Sequence, residues 1–355
     1  MNIKAFINRI FHAMRDPERK KIRHILREYF SLKLTKPLLA EQYFIKYLYR
    51  TDAGDIHNYI NTNRLNEKYW NINEDRFMPA FAIKSNFEAY LSQFNINVVK
   101  NLAYNHNALF FKDNTLKLID SPEGFLDFLL ALPIKDAVFI KKKEDSFGGK
   151  DIMKVKISDL KENKLLVKEI YDQVIKAGYV FQNEIVQHEE MNRLNPHCVN
   201  CVRVVTYTNK QHSSKILGIN QKTSLGKIYV DNISAGGGYI PVDMNTGALN
   251  GKIYTPFVKG GKRYYKHPIT GLDIKEFKIP YFEEVKELAL NAAKAVPEII
   301  LVGWDIAIQP DGPVIIEGNI RPGINDHEIV QKGYRNNPVY LDMLKDAGEE
   351  PIYPR

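Results

Sequence analysis

The segment that most constrains this chain is Val302-Gly303-Trp304-Asp305-Ile306-Ala307-Ile308-Gln309-Pro310-Asp311-Gly312-Pro313-Val314-Ile315-Ile316-Glu317-Gly318-Asn319. Two apolar stretches flank Pro310-Asp311-Gly312, a turn composition, which predicts an antiparallel hairpin. With Gln309 set opposite Pro313, Asp305 falls directly opposite Glu317, their Cβ atoms about 5 Å apart on one face. Asn319, two residues further on, shares the face of Glu317. Two carboxylates placed in this way repel and weaken the pairing, unless a cation stands between them. Three oxygen donors without His or Cys suit Mg²⁺ or Mn²⁺. Mg²⁺ takes few protein ligands and fills the rest of its shell with water and phosphate oxygens. The plain alternative is a hairpin whose acids face water.

A second segment, Ala137-Val138-Phe139-Ile140-Lys141-Lys142-Lys143-Glu144-Asp145-Ser146-Phe147-Gly148-Gly149-Lys150, reads as a strand ending in lysines and then a Ser-x-Gly-Gly loop. Paired glycines let successive N–H groups converge on phosphate oxygens, and a lysine on the entering strand reaches them as a point charge. The segment lacks both the Gly-x-x-x-x-Gly-Lys-Ser/Thr loop and the Gly-x-Gly-x-x-Gly dinucleotide fingerprint. Alone, it equally describes an ordinary Gly-Gly hairpin.

Length and charge set the frame for these motifs. At 355 residues the chain exceeds the size at which one core stops growing, so more than one domain is expected. The formal net charge is +8, and residues 1–50 account for that excess with twelve Lys or Arg against four Asp or Glu. The rest of the chain is balanced and has no basic strand face interleaved with aromatics, which argues against nucleic acid as a partner. No apolar run approaches the ~20 residues that span a bilayer. The opening residues lack the continuous apolar stretch of a signal peptide. The two cysteines, Cys198 and Cys201, exclude a disulfide framework. A cytoplasmic setting is therefore expected. The Cys-x-x-Cys pair has no second pair to complete a zinc site and runs into a strand, so it reads as structural.

Residues 3–30 read as one helix, because Ile3, Phe6, Ile7, Ile10, Phe11 and Met14 fall on one face. Lys and Arg fill the other positions. Such a helix either packs on the body or attaches to an anionic membrane surface. A second helix is expected over 37–50, with loop and short helix over 51–75. Further helices are expected over 84–94, over 162–177 with Gly178 as its cap, and over 281–296. Strands are expected over 108–111, 116–119, 137–140, 152–157, 179–186, 199–208, 215–220, 228–230, 239–242, 301–308 and 314–317. This mixture, with several hairpins, indicates an α+β fold.

Together these pieces resemble the ATP-grasp superfamily. Glu317-Gly318-Asn319-Ile320-Arg321-Pro322-Gly323 is similar to the Glu-x-Asn-x-x-Pro-Gly signature of its D-alanine ligase-like branch. A closer resemblance is to the sugar-transfer-associated ATP-grasp family of exopolysaccharide and capsule gene clusters. It rests on Asn195-Pro196, Asn200-Cys201-Val202-Arg203-Val204-Val205-Thr206, Val230-Asp231-Asn232-Ile233-Ser234-Ala235-Gly236-Gly237 and Gly303-Trp304-Asp305-Ile306-Ala307. The likeness runs over roughly residues 77–335. It implies two α+β subdomains clasping ATP, at 76–182 and 183–335, after a basic helical region at 1–75 and before a tail at 336–355.

The resemblance also implies roles. Asp305, Glu317 and Asn319 would hold magnesium, in one or two ions, with Mn²⁺ as a substitute. Lys84 and Lys141 are similar to the two ATP lysines, and Ser146, Gly148 and Gly149 to the phosphate loop. Glu184 and Val186 would form the adenine hinge, and Glu190 would meet the ribose. Arg203, Lys222 and Arg321 would stabilise charge on the transferring phosphoryl group and the acyl intermediate. D-alanine ligase-like enzymes carry an Arg two residues before the magnesium Asp. This chain has Gly303 there, so Arg203 or Lys222 would supply the charge from a neighbouring strand. The implied activity is ATP-dependent ligation of a small-molecule or sugar-linked carboxylate to an amine, in building a surface polysaccharide. The alternatives are an ATP-grasp phosphotransferase acting on a sugar or lipid-linked acceptor, and a nucleotide-binding partner of a glycosyltransferase complex without turnover. Residues 1–30 would contact the inner face of the membrane or that complex.

Overall fold

The computed structural model describes residues 3–61, 72–73, 75–144, 152–231, 235–257 and 260–348. The N-terminal region holds helices α1 (Ile3–Arg15), α2 (Ile22–Thr35) and α3 (Pro37–Ala40). The single helix expected over 3–30 is therefore two. Pro17 cannot donate to a continuing helix and its ring clashes with the preceding turn, so the chain breaks there. The Asp16 carboxylate accepts the Glu18 N–H at 2.9 Å and shapes the corner. The helix expected over 37–50 stops after one turn, and Tyr47 adopts a φ of 59°. Phe6, Ile10 and Met14 pack inward against Ile25, Leu32, Tyr43 and Phe44. Ile7 and Phe11, expected on the same apolar face, stay exposed.

Helices α4 (Met78–Ala82) and α5 (Lys84–Ser92) lead into strands β1 (Ala103–His106), β2 (Leu109–Lys112) and β3 (Thr115–Leu118). Helix α6 (Pro122–Leu130), β4 (Ala137–Lys142), β5 (Ile152–Lys156), α7 (Ile157–Glu162), α8 (Lys164–Val174) and β6 (Tyr179–Asn183) follow. The six strands form one antiparallel sheet in the order β3-β2-β1-β6-β4-β5. Phe125 and Phe128 of α6 and Val167 and Tyr171 of α8 bury its inner face with Phe110 and Phe181. Gly178 is not the left-handed helix cap that was expected, since it is absent from the positive-φ positions. Packing there is close: a Cβ would lie 2.9 Å from Lys143 Cε, at the mobile end of that side chain, and 3.2 Å from the Asn105 carbonyl oxygen.

The second half contains α9 (Glu189–Leu194), β7 (Val202–Thr208), β8 (Ser214–Ser224), β9 (Gly237–Pro241), β10 (Ile253–Tyr254), β11 (Arg263–Tyr264), α10 (Phe282–Ala295), β12 (Leu301–Gln309) and β13 (Gly312–Asn319). These strands form a seven-stranded sheet in the order β11-β10-β9-β8-β7-β12-β13. The strand expected over 228–230 is instead a loop, from which Tyr229 donates to the Ile152 carbonyl at 2.8 Å and so ties this half to the first sheet. Val285 and Ala289 of α10 cover one face with Val204, Ile219, Trp304 and Ile306. Phe81 of α4 and Phe87 and Leu91 of α5 join that core. The stretch expected with the first subdomain thus begins by packing on the second sheet. On the opposite face, α11 (Asn325–Val330) and α12 (Pro338–Asp346) close the far end. Val339 and Met343 of α12 pack there on Val205 and Leu217, so the expected tail carries a docked helix.

The N-terminal region is fastened to the second sheet by charge as well as by apolar contact. Glu18 bridges Arg263 at 2.5 Å and Lys252 at 2.7 Å. Lys46 of this region and Glu328 of α11 form a fully buried ion pair, and the Lys46 ammonium also donates to the Ile60 carbonyl. The result is an α+β fold with two antiparallel sheets facing one cleft.

Candidate functional site

The acidic hairpin is paired as expected at its working end and differently at its tip. Asp305 lies opposite Glu317, and Gly303 opposite Asn319. Near the turn, Gln309 faces Gly312 rather than Pro313. The tip is thus a two-residue turn closed by Gly312, whose φ of 129° suits glycine. A bulge at Ile316 inserts the extra residue that restores the register before Glu317. The expected pairing of the carboxylates was right because the tip offset and the bulge cancel.

Strand alternation brings the partners of Asp305 to the same face. Arg203 of β7 is its register partner on the other side, and Asn220 of β8 is the register partner of Arg203. The Asp305 carboxylate is 3% exposed. Arg203 grips it bidentately, Nε to Oδ1 at 2.5 Å and Nη2 to Oδ2 at 2.7 Å. Lys222 Nζ lies 3.2 Å from Asp305 Oδ2 and 3.3 Å from Asp231 Oδ1. Burial works against ionised Asp305, but Arg203 and Lys222 hold its carboxyl far below the usual range. Burial likewise disfavours charged Lys222, yet Asp231 and Asp305 carry it well above an ordinary lysine. Glu317 is pushed upward, first by burial and then by Asp305. Asn319 Nδ2 donates to Glu317 Oε1 at 3.2 Å.

Gly303 explains itself at this point. A Cβ there would lie 2.8 Å from Pro322 Cβ and 3.3 Å from Arg203 Nη1. The Pro322 ring, and then the Arg203 guanidinium, close the space that a side chain at 303 would need.

Across a cleft of about 610 Å³, the first sheet supplies Lys141 from β4, and α5 supplies Lys84 at its first residue. Burial lowers Lys141 to about 8, with Glu317 opposing the shift and Lys84 adding to it. The Lys84 N–H donates to the Lys143 carbonyl at 3.0 Å, which fixes the helix start against the lysine-bearing strand. Arg321 lines the cleft rim, and its Nη2 donates to Asp75 Oδ1 at 2.6 Å. Ser146, Gly148 and Gly149 lie outside the described residues.

Three expected contacts are not brought to the cleft. Strand β6 ends at Asn183, so alternation no longer sets the direction of Glu184. Glu184 turns to Lys154 at 2.5 Å in an exposed ion pair. Val186 is exposed, and Glu190 pairs with Arg193 at 2.6 Å on the surface of α9. The cleft is lined instead by Gln182, Asn183 and Ile185. Gln182 is buried and donates to Asn101 Oδ1 at 2.8 Å. The cysteines are buried and free, and burial pushes the Cys198 thiol up to about 12, which suits a structural role.

Asp231 and Asp326 were not anticipated. Asp231 accepts the Cys201 N–H at 2.9 Å and pairs with Lys222. Its sequence signal was hidden at the head of a glycine-rich stretch. Asp326 follows the Pro-Gly of the signature within Asn325-Asp326-His327-Glu328. Burial pushes its carboxyl up to about 6, while Arg203 and the Tyr239 hydroxyl pull it down. Burial and Arg203 hold His327 down near 3, so this imidazole is neutral.

The donor chemistry fits a hard divalent cation. Glu317 is destabilised as an anion by burial and by Asp305, a penalty that a cation between them removes. Among the described residues no three His, Cys, Asp or Glu side chains gather as a metal cluster. A third protein donor would be the Asn319 amide oxygen, after its side chain turns from Glu317, with water and phosphate completing the shell.

Several comparisons bear on this geometry. The family model for sugar-transfer associated ATP-grasp proteins matches residues 64–337. No curated protein matches the sequence. Among solved structures, the chain is similar to phosphoribosylamine–glycine ligase of Thermotoga maritima, with 12% identity and a TM-score of 0.45 over 80% of this chain and 59% of that one. It is similar to an N5-carboxyaminoimidazole ribonucleotide synthetase in its ADP complex, with 10% identity and a TM-score of 0.44 over 82% of this chain and 59% of that one. It is also similar to D-alanine–D-alanine ligase of Coxiella burnetii, with 12% identity and a TM-score of 0.36 over 76% of this chain and 53% of that one. The chain thus spans little more than half the length of these structures. With the family model matched across most of its residues, the chain belongs to the sugar-transfer associated ATP-grasp family.

Proposed function

We propose that the protein is an ADP-forming ligase that uses MgATP to activate a carboxylate as an acyl phosphate and joins it to an amine. The observation that carries this reading is the pair of facing carboxylates, Asp305 and Glu317, backed by Arg203 and set across the cleft from Lys141. Asp305, Glu317 and Asn319 would hold Mg²⁺, which when bound neutralises charge on the phosphate oxygens. Lys84 and Lys141 bind and orient those phosphates as point charges. Arg203 and Lys222 offer positive charge beside the transferring group, and Arg321 offers more at the rim. Positioning and electrostatics then supply most of the rate.

In this reading a substrate carboxylate oxygen attacks the γ-phosphorus and ADP leaves. The amine attacks the acyl carbon, the C–O bond to phosphate breaks, and inorganic phosphate leaves. The family description names an association with sugar transfer, and the acid substrate in this reading is a sugar acid or an amino acid used in surface polysaccharide synthesis.

The test is a coupled assay of ADP and inorganic phosphate over panels of sugar acids, amino acids and amines. The ligase reading expects phosphate release only when acid and amine are both present, with a product mass equal to their condensation. Phosphate retained on the acceptor would replace this reading by a phosphotransferase. ATP binding without any acceptor-dependent ADP would leave a nucleotide-binding partner.

A further inference from the structure

The outward side of α2 is built from two residue types only. Ile22, Leu26, Phe30 and Leu34 recur at every fourth position and are all exposed, Phe30 at 59% and Leu34 at 86%. Arg23, Arg27 and Lys33 are exposed between them. On a helical projection these side chains fill an arc of about 140°. Leu38 of α3 continues the fourfold spacing and is exposed. On α1, Ile7 and Phe11 are also exposed, and the Arg15 guanidinium lies 3.9 Å from the Phe11 ring centre. The Phe6 and Tyr29 rings, 5.9 Å apart, set α1 beside α2.

The acids of this region are mostly turned away from that surface. Asp16 is engaged by Arg50 at 2.5 Å, Glu18 by Arg263 and Lys252, and Glu28 by Lys20 at 2.8 Å and by the Tyr43 hydroxyl at 2.7 Å. Of the four acids in residues 1–50, only Glu41 remains exposed. The body gains attachment from the acids, and the outer face keeps the cations.

We propose that this face of α2, continued by Leu38, docks the protein on an anionic lipid bilayer. The occupant follows from charge and shape. A row of apolar side chains on one helix enters the headgroup boundary, while long Lys and Arg stems reach back to lipid phosphates. No described helix is long and apolar enough to cross a membrane, so the contact is with the surface. The docking face is not the Phe6-Ile10-Met14 face that periodicity suggested, because that one is spent on the protein's own core.

The test is co-sedimentation of the full chain with vesicles of equal parts phosphatidylcholine and phosphatidylglycerol, against phosphatidylcholine alone. Wild-type protein should bind the anionic vesicles and not the neutral ones, and added salt should weaken binding. Leu26→Gln/Phe30→Gln/Leu34→Gln and Arg23→Glu/Arg27→Glu/Lys33→Glu should each lower partitioning about tenfold or more. Thermal unfolding and ATP binding should stay at wild-type values, since these side chains are exposed and distant from the cleft residues. Wild-type protein that ignores anionic vesicles, or triple variants that bind them as well as wild type, would overturn the proposal. A wild-type dimer that the apolar variant converts to monomer, with no vesicle binding by either, would also overturn it and make the face a protein interface.

Discussion

The two sides of the cleft are both antiparallel sheets, yet they handle charge in opposite ways. On the seven-stranded side most strong charges meet their complements: Asp305 is gripped by Arg203, and Lys222 stands between Asp231 and Asp305, while Glu317 is disfavoured as an anion by burial and by Asp305. On the six-stranded side Lys141 is held down near 8 by burial and by Lys84, which approaches it from α5. The first arrangement ties most of its charges to one another before any ligand arrives. The second carries an electrostatic cost that a bound anion would relieve. One sheet therefore fixes geometry, and the other stores affinity for phosphate.

The comparison breaks most visibly at Asp305. Asp305→Asn strips Arg203 of its bidentate partner and Lys222 of one of its two acids. Unfolding in denaturant should show a loss of about 3–5 kcal/mol, the usual result of orphaning a buried charge. Mg²⁺-dependent ADP release should drop by about 10³-fold or more. A variant that unfolds like wild type would mean that the floor is not held by its ion pairs. Lys141→Met should separate the two sides. ADP release should fall about 10²-fold, yet stability should hold or rise, because a buried ammonium that burial penalises is gone.

A smaller effect sharpens the origin of the Lys141 shift. Lys141 keeps its proton below about pH 8 and loses it above, so nucleotide affinity should decline as pH rises through 8. Lys84→Met removes the like charge that contributes to the depression. The alkaline limb should then move to higher pH in a binding titration, even as affinity at neutral pH falls. The smallest effect is expected at Glu184→Ala, which deletes an exposed pair with Lys154. Stability should change by less than about 1 kcal/mol, and nucleotide affinity should stay level by calorimetry. A large loss of affinity there would return Glu184 to the nucleotide site.

Much of the site was legible because strand alternation is strict. Once a hairpin is granted, the faces of Asp305, Glu317 and Asn319 follow from parity alone. The bulge at Ile316 was not legible, since nothing in an apolar run marks which residue goes unpaired. Glu184 was placed by family resemblance alone, and the end of β6 at Asn183, which lets its side chain turn to Lys154, is not marked in the apolar pattern. In the N-terminal region, helical periodicity marked one apolar face over residues 3–14, yet Phe6, Ile10 and Met14 are packed inward while Ile7 and Phe11 stay exposed. Phe6 and Ile10 face a core assembled from Tyr43, Phe44 and Ile329, a residue far along the chain. That choice depends on tertiary contacts that local spacing does not encode. Asp326 was missed because its upward shift arises from burial by other elements, against the pull of Arg203 and Tyr239, and local sequence does not encode that burial.

Gly303 has a wider meaning than the lack of a side chain. Read along one strand, position 303 offers no cation to its neighbour Asp305. Read across the sheet, the Arg203 guanidinium stands at the position a side chain from 303 would have filled, rooted in the next strand. The space beside Asp305 is thus filled from β7 rather than from its own strand, and it is closed twice: a Cβ at 303 would meet the Pro322 ring at 2.8 Å before the guanidinium at 3.3 Å. Cutting Arg203 back alone should therefore not make room for an arginine at 303.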